Sequence, residues 1–169
     1  FILDKPLVSN AFMDVLMLAQ IPVVWIDHHD IQGVDLTGYE NLQSYNAALN
    51  LSESEKIEGA APVTYWAYQT TKRKEDIWIA IMGCIADHYL PDFSDEFKEK
   101  YPELWGRVVK PFDAYYGTEI GKIAMSLNFG LKDSTTHIVE LQNFLIGCGG
   151  PIEVLSEVKH NENFRTRYN

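Results

Sequence analysis

The fold is decided by residues 1–27, FILDKPLVSNAFMDVLMLAQIPVVWID, in which two apolar runs flank an amphipathic segment. The first run ends at Asp4, before a proline at position 6 that cannot continue a central strand, and the second ends at Asp27. Between them, Ser9 or Asn10 is placed to cap a helix. The apolar positions of this helix fall on one face: Phe12, Val15, Leu16, and Leu18 or Ala19. Strand, helix and strand over this length predict a βαβ unit with two parallel strands.

Ionisable residues follow both predicted strands. Asp4 closes the first strand, and the triplet Asp27-His28-His29 closes the second. Because ligands bind at the carboxyl ends of the strands in open α/β sheets, we expect these side chains at a ligand-binding edge. Buried acids and histidines cost free energy unless they have a partner. Two structural alternatives stay open: Asp4 as a cap of the following helix, and one histidine packed in the core while the other is exposed.

The remainder of the chain predicts mostly helices. LQSYNAAL at 42–49 is a short strand or an edge segment, and KEDIWIAIMGCIADHY at 74–89 is a helix apolar on nearly all sides and therefore buried. Further helices are predicted over 62–71, over 94–100 with Ser94 as cap, over 115–128, over 133–148 and from Pro151 onward. The pattern as a whole predicts an α/β fold, a parallel sheet flanked by helices, with a helix-rich C-terminal part.

Asp87 is an acid at the end of the apolar helix. A carboxylate desolvated there needs a cation, several donors or a metal, whereas the alternative is that Asp87 lies at an exposed helix end beside His88. Combined with Asp4 and a histidine of the triplet, it gives the mixed oxygen and nitrogen set that suits manganese, magnesium or zinc. Three acids and a histidine can hold two ions, which is an arrangement that hydrolyses phosphate esters.

Composition narrows the classes of partner. The formal charge of −10, from 14 basic and 24 acidic residues, excludes a chain-wide electrostatic grip on a long duplex and favours metal ions or short substrates. The basic cluster TKRKED at 71–76 is predicted to be a solvated turn. Cys84 and Cys148 have no cysteine nearby, which predicts reduced thiols and a cytoplasmic protein. The longest apolar stretch has ten residues, IWIAIMGCIA, so no membrane partner is expected. His137 and His160 are predicted surface or packing residues.

Three motifs in order carry a resemblance to a known family. WIDHH at 25–29, preceded by FILDKP at 1–6 and followed by IMGCIAD at 81–87, resembles the DHH phosphoesterase superfamily, and in detail its archaeal RecJ-like nuclease and oligonucleotide-hydrolase branch. Residues 117–155 also look like the helical stretch that follows the DHH core in those proteins. The resemblance implies a DHH catalytic core over 1–150 and the start of a linker helix toward a second domain over 151–169.

The resemblance also implies a role for each site residue. Asp4 and Asp87 would be bridging carboxylates and His28 a ligand of two Mn²⁺ ions, with Mg²⁺ as a substitute. Asp27 would orient the histidines. His29 would reach the scissile phosphate and stabilise its developing charge. The implied activity is that of a metal-dependent phosphodiesterase acting on single-stranded DNA or RNA or on short oligonucleotides, with replication or repair proteins as partners.

The chain departs from the family pattern in three places. The family's acid-rich first motif would precede Phe1, its glycine-rich substrate-binding domain would follow Asn169, and Ala47 stands where relatives often have proline. Three other hypotheses therefore stay open. The first is an inactive DHH scaffold that binds partners, the second is a pyrophosphatase or cyclic-dinucleotide phosphodiesterase on the same fold, and the third is an unrelated α/β domain.

Overall fold

The computed structural model describes residues 1–29, 36–50, 60–155, 162 and 166. It divides the chain into two compact units, residues 1–67 and residues 68–169. The first unit contains the sheet, and the second is built from helices. His160, predicted to be a surface or packing residue, lies outside the described residues.

The sheet of the first unit is parallel throughout. Its three described strands lie in the order β1 (Ile2–Leu3), β2 (Val23–Asp27) and β3 (Leu42–Asn46). Leu3 is in register with Ile26, and Asp27 with Asn46. The apolar residues Val23 and Trp25 of the central strand are buried, as the near-continuous apolar run of a parallel strand requires. The predicted α/β class is confirmed, and the segment 42–49 does supply a strand.

The crossover between β1 and β2 contains the predicted helix, α1 (Asn10–Leu18). The Ser9 hydroxyl caps it by accepting a hydrogen bond from the Phe12 N–H at 3.3 Å. The predicted buried face is wrong, because Phe12, Val15 and Leu18 are 50%, 61% and 85% exposed, whereas Met13 is buried. The helix is apolar on both faces, so its periodicity alone does not determine which face meets the sheet.

The other described helices are α2 (Val63–Thr71), α3 (Ile77–Ala86), α4 (Ser94–Lys100), α5 (Pro102–Trp105), α6 (Pro111–Gly117), α7 (Glu119–Gly130), α8 (Thr135–Gly147) and α9 (Pro151–Leu155). Short 3-10 turns cover Ala48–Asn50 and Lys74–Asp76. Within the described residues, every helix is too short or too polar to cross a bilayer. Helix α9 begins at Pro151, as predicted. The linker toward a second domain over 151–169 stays a prediction.

Helix α3 is the centre of the second unit. It packs against α4, α6 and α7, and the predicted burial is confirmed for Trp78, Ile81 and Ile85, with Ile79 as a partly exposed exception. Cys84 is buried on the same helix, and burial together with the charges of nearby acids raises the pKa of its thiol. Both cysteines are unpaired thiols, as predicted.

Two predicted helix starts are corrected by hydrogen bonds. The helix predicted over 115–128 is interrupted at Thr118, whose extended backbone ends α6 and whose hydroxyl accepts the Gly121 N–H at 2.9 Å to begin α7. Ser94 is the first residue of α4, with Phe93 at the cap position. The Ser94 hydroxyl donates to the Pro91 carbonyl at 2.5 Å, so it is engaged with the preceding turn.

Candidate metal centre

The candidate site lies at the carboxyl edge of the parallel sheet in the first unit. Asp4 follows β1, and His28 and His29 follow β2. One ligand atom from each of these three residues lies within 4.8 Å of those of the other two. Among the residues that the structure describes, this is the one group of three or more acids, histidines and cysteines spaced to hold a metal ion.

Asp4 is positioned by the backbone around it. Its N–H donates to the Ile26 carbonyl at 3.0 Å, which continues the ladder between β1 and β2 by one residue. Its φ of 56° lies in the left-handed region, which aspartate tolerates better than most residues. The Trp25 indole N–H donates to the Lys5 carbonyl at 2.9 Å and fixes the chain immediately after it. The strand end is therefore anchored on both sides of the carboxylate.

His28 faces the Asp4 carboxylate. Its Nε2 lies 3.2 Å from Asp4 Oδ1, and the two side chains are 17% and 55% exposed. The histidine is thus mostly enclosed while the carboxylate opens to solvent. A metal ligand must be deprotonated, so an ion bound between these two atoms would take the lone pair of His28 Nε2 and an oxygen of the Asp4 carboxylate.

His29 is oriented by a buried acid. Asp27, which is 1% exposed, accepts the backbone N–H of His29 at 3.2 Å and pairs with its Nδ1 at 2.9 Å. A carboxylate accepts only, so this pair assigns the ring proton to Nδ1 and leaves the lone pair on Nε2. The rings of His28 and His29 lie 4.5 Å apart between centroids. The buried acid therefore turns one imidazole nitrogen into a defined acceptor at the sheet edge.

Asn46 is a site residue that the sequence analysis missed. Its amide donates to the His29 carbonyl at 2.9 Å, and its Oδ1 accepts the Ala48 N–H at 2.9 Å. It ends β3 in register with Asp27, so it holds the turn after β2 from the neighbouring strand. The signal that could have identified it is a polar residue at the end of a third strand on the same edge.

The donor set fits a divalent cation. One carboxylate oxygen and imidazole nitrogens are ligands that Mn²⁺ accepts and that Mg²⁺ accepts in part. The buried Asp27 behind His29 is the kind of outer carboxylate that commonly orients a ligating or substrate-binding histidine. The exposed edge of Asp4 gives an ion a path from solvent. The site therefore has ligand types, support and access that suit a metal.

The remaining predicted site residue, Asp87, belongs to the second unit. It occupies the C-cap of α3 and is exposed, which is the alternative of an exposed helix end beside His88. Its role as a metal ligand stays a prediction. In the same unit, His137 Nδ1 lies 2.8 Å from Asp133 Oδ1, one helical turn away. This pair belongs to no larger group of possible metal ligands among the described residues, so it is a suitable comparison for the pair of Asp27 and His29.

Comparison of the chain with family models, with curated proteins and with solved structures gives no match. Fold and site define an α/β protein with a three-stranded parallel sheet in its described part and an acid and histidine cluster at the carboxyl edge of that sheet. The resemblance to the DHH superfamily therefore rests on the three sequence motifs.

Replacing Asp27 by asparagine tests the support of His29. The amide keeps the shape but cannot accept from both the backbone N–H and Nδ1 with the same strength, so we expect His29 to become a mixture of tautomers. Long-range ¹H–¹⁵N spectra of the imidazoles measure the tautomer. Asp133→Asn is the matched control, and an unchanged His29 tautomer in Asp27→Asn would show that Asp27 does not orient the ring.

Proposed function

We propose that the protein is a metal-dependent phosphodiesterase that hydrolyses single-stranded nucleic acid or short oligonucleotides. The observation that carries the proposal is the convergence of Asp4, His28 and His29 at a sheet edge with Asp27 buried behind them. The three family motifs in sequence order support the same assignment.

Asp4 and His28 would hold a divalent ion, Mn²⁺ by the resemblance and Mg²⁺ as a substitute. When bound, such ions activate water and neutralise negative charge on phosphoryl oxygens. Asp87 is proposed as a further ligand from its motif alone. This division gives the enclosed histidine and the solvent-facing carboxylate the ligand roles and leaves His29 for the substrate.

His29 is the proposed catalytic residue. Its side chain is 45% exposed, so its ring can approach a phosphate from the solvent side of the site. Asp27 is a positioning residue, because it fixes the Nδ1 proton and stabilises positive charge on the ring if His29 takes up a second proton. A protonated His29 would donate to the scissile phosphate and stabilise its developing charge.

Substrate class follows from the charge of the chain. With a net charge of −10, the protein lacks the broad basic surface that neutralises many phosphates along a duplex. Short or single-stranded substrates need fewer such contacts. We place the protein in the cytoplasm, where its two unpaired thiols would stay reduced, and propose replication or repair proteins as partners.

The test is hydrolysis by the complete protein with and without metal. A short fluorescent single-stranded oligonucleotide should be cleaved with Mn²⁺, cleavage should stop in EDTA, and it should return when Mn²⁺ is restored. Inorganic pyrophosphate and a cyclic dinucleotide are run in parallel under the same conditions. If pyrophosphate or the cyclic dinucleotide is turned over faster than the oligonucleotide, that compound takes the place of the oligonucleotide as the proposed substrate. Absence of Mn²⁺-dependent turnover of all three would contradict the proposal and favour a non-catalytic scaffold.

A further inference from the structure

The second unit carries a row of aromatic rings at its surface. Phe112 and Tyr116 lie one helical turn apart on α6, with ring centroids 4.5 Å apart, and Tyr116 stacks against His88 at 6.3 Å and an interplanar angle of 29°. Phe112 and Tyr116 are 56% and 52% exposed, and His88 is also exposed. We call these three residues the aromatic ladder.

The buried Tyr115 packs against the aromatic ladder. Tyr115 is buried, and its ring contacts Tyr116 edge-on at 4.9 Å and His88 at 5.7 Å. His88 follows the end of α3, which packs against α6, and its φ of 55° places it in the left-handed region. Three rings from two packed elements are thus fixed in a row while their outer sides face water.

The ladder offers a stacking surface for a nucleobase. The Phe112 and Tyr116 rings, with centroids 4.5 Å apart, are half-exposed, and His88 continues the aromatic surface 6.3 Å from Tyr116. Bases stack on exposed aromatic rings whatever their sequence, because every base has a π-face.

The charges around the ladder are mixed, because the Lys110 ammonium lies beside Phe112 whereas the exposed acid Asp87 directly precedes His88. The Lys110 ammonium lies 5.8 Å from the Phe112 ring, and Arg107 is exposed in the segment that leads into α6. The two nearest acids of α6 and α7 are engaged, since Asp113 accepts the backbone N–H groups of Val109 and Lys110 and Glu119 pairs with Lys122. A cation at one end of a row of rings is the pairing that single-stranded nucleic acid uses.

We infer that the aromatic ladder binds the bases of single-stranded nucleic acid. The inference rests on the proposed function for its ligand class alone, and it names a surface of the second unit that would bind single-stranded nucleic acid. A duplex would bind poorly here, because the faces of its paired bases are covered by their neighbours.

The experiment is a fluorescence-anisotropy titration of a labelled oligothymidylate with the complete protein in EDTA, so that no cleavage takes place. The parent should bind saturably and prefer the single strand over the matching duplex. Tyr116→Ala should weaken binding about 5- to 100-fold, which is the usual effect of losing one base-stacking ring, and Tyr116→Phe should restore it. Lys110→Ala should reduce the slope of log affinity against log salt concentration by about one, because one fewer counterion is released on binding.

Phe129→Ala is the matched control, because Phe129 is 69% exposed and has Lys132 5.2 Å from its ring. It should bind like the parent. Equal affinity of Tyr116→Ala and the parent, equal affinity for duplex, or absence of saturable binding would overturn the inference. Self-association that depends on Tyr116, seen by sedimentation velocity without oligonucleotide binding, would overturn it in favour of a second copy of the chain.

Oligonucleotide binding in EDTA tests the ladder, and hydrolysis in Mn²⁺ tests the proposed function, so either proposal can be contradicted without the other. If the ladder is right and the proposed function is wrong, the protein binds oligonucleotide through Tyr116 but does not cleave it. If the proposed function is right and the ladder is wrong, Mn²⁺-dependent cleavage is present while Tyr116→Ala binds the oligonucleotide like the parent.

Discussion

Asp4→Asn and His28→Ala are each expected to lower Mn²⁺-dependent hydrolysis by more than about 100-fold, since loss of an outer carboxylate alone costs up to about that much. Asp4→Asn removes the anionic ligand but keeps the backbone hydrogen bond to Ile26 that anchors the strand end. His28→Ala removes the imidazole whose Nε2 faces the same carboxylate. Initial rates with a labelled oligonucleotide, measured over a range of Mn²⁺ concentrations, test both variants.

Asp14→Asn is the control for charge. Asp14 is an exposed acid of the same unit that accepts the Tyr39 hydroxyl at 3.1 Å, and we expect its replacement to leave the rate unchanged. Thermal unfolding of each variant separates loss of a ligand from loss of the fold. A folded Asp4→Asn variant that cleaves like the parent would contradict the site. Asp87→Asn, measured in the same series, tests the ligand role that only its sequence motif supports.

Gly121→Ala is expected to destabilise the second unit by about 3 kcal/mol, the upper part of the range for overpacking. A Cβ at Gly121 would lie 2.1 Å from the Tyr115 carbonyl oxygen and 2.5 Å from that of Ala114. Both atoms are backbone atoms of α6, so no side-chain rotation relieves the clash. Relief requires α6 and α7 to separate, which disturbs their packing against α3.

Gly117→Ala supplies the matched control. Gly117 ends α6, and a Cβ there meets no atom within 4 Å. Its replacement should be neutral or stabilising by up to about 1 kcal/mol, because alanine restricts the unfolded chain. Thermal and urea unfolding of both variants measure the difference. Equal stability of Gly121→Ala and Gly117→Ala would show that α6 and α7 do not approach as closely as described.

Elements whose residues all require the same environment are predictable from the sequence. The apolar runs before Asp4 and Asp27 both form strands, although the predicted burial holds for the second alone, because Leu3 of β1 is 49% exposed. The carboxyl ends of the two strands meet at one edge because the strands are parallel. Helix α3 was equally plain, because an almost wholly apolar helix has to be enclosed. The edge of the sheet where the candidate ligands meet was predictable for the same reason.

Features that depend on tertiary contacts were not predictable. Met13 is the buried residue of α1, and the periodicity does not indicate it, since both sides of that helix are apolar. The break at Thr118 depends on a side chain that prefers to cap α7 over continuing α6, although either is compatible with the local sequence. Asn46 matters through a hydrogen bond to a residue seventeen positions earlier, which no local pattern records.

The central claim is that Asp4 and His28, with His29 beside them, form a cation site, and direct binding of Mn²⁺ tests it most simply. Electron paramagnetic resonance follows the signal of free Mn²⁺ as protein is added. We predict saturable uptake of Mn²⁺ by the protein and by Asp14→Asn, and a large loss of uptake in Asp4→Asn. Uptake that is absent, or that is the same in the protein and in a folded Asp4→Asn variant, would contradict the claim.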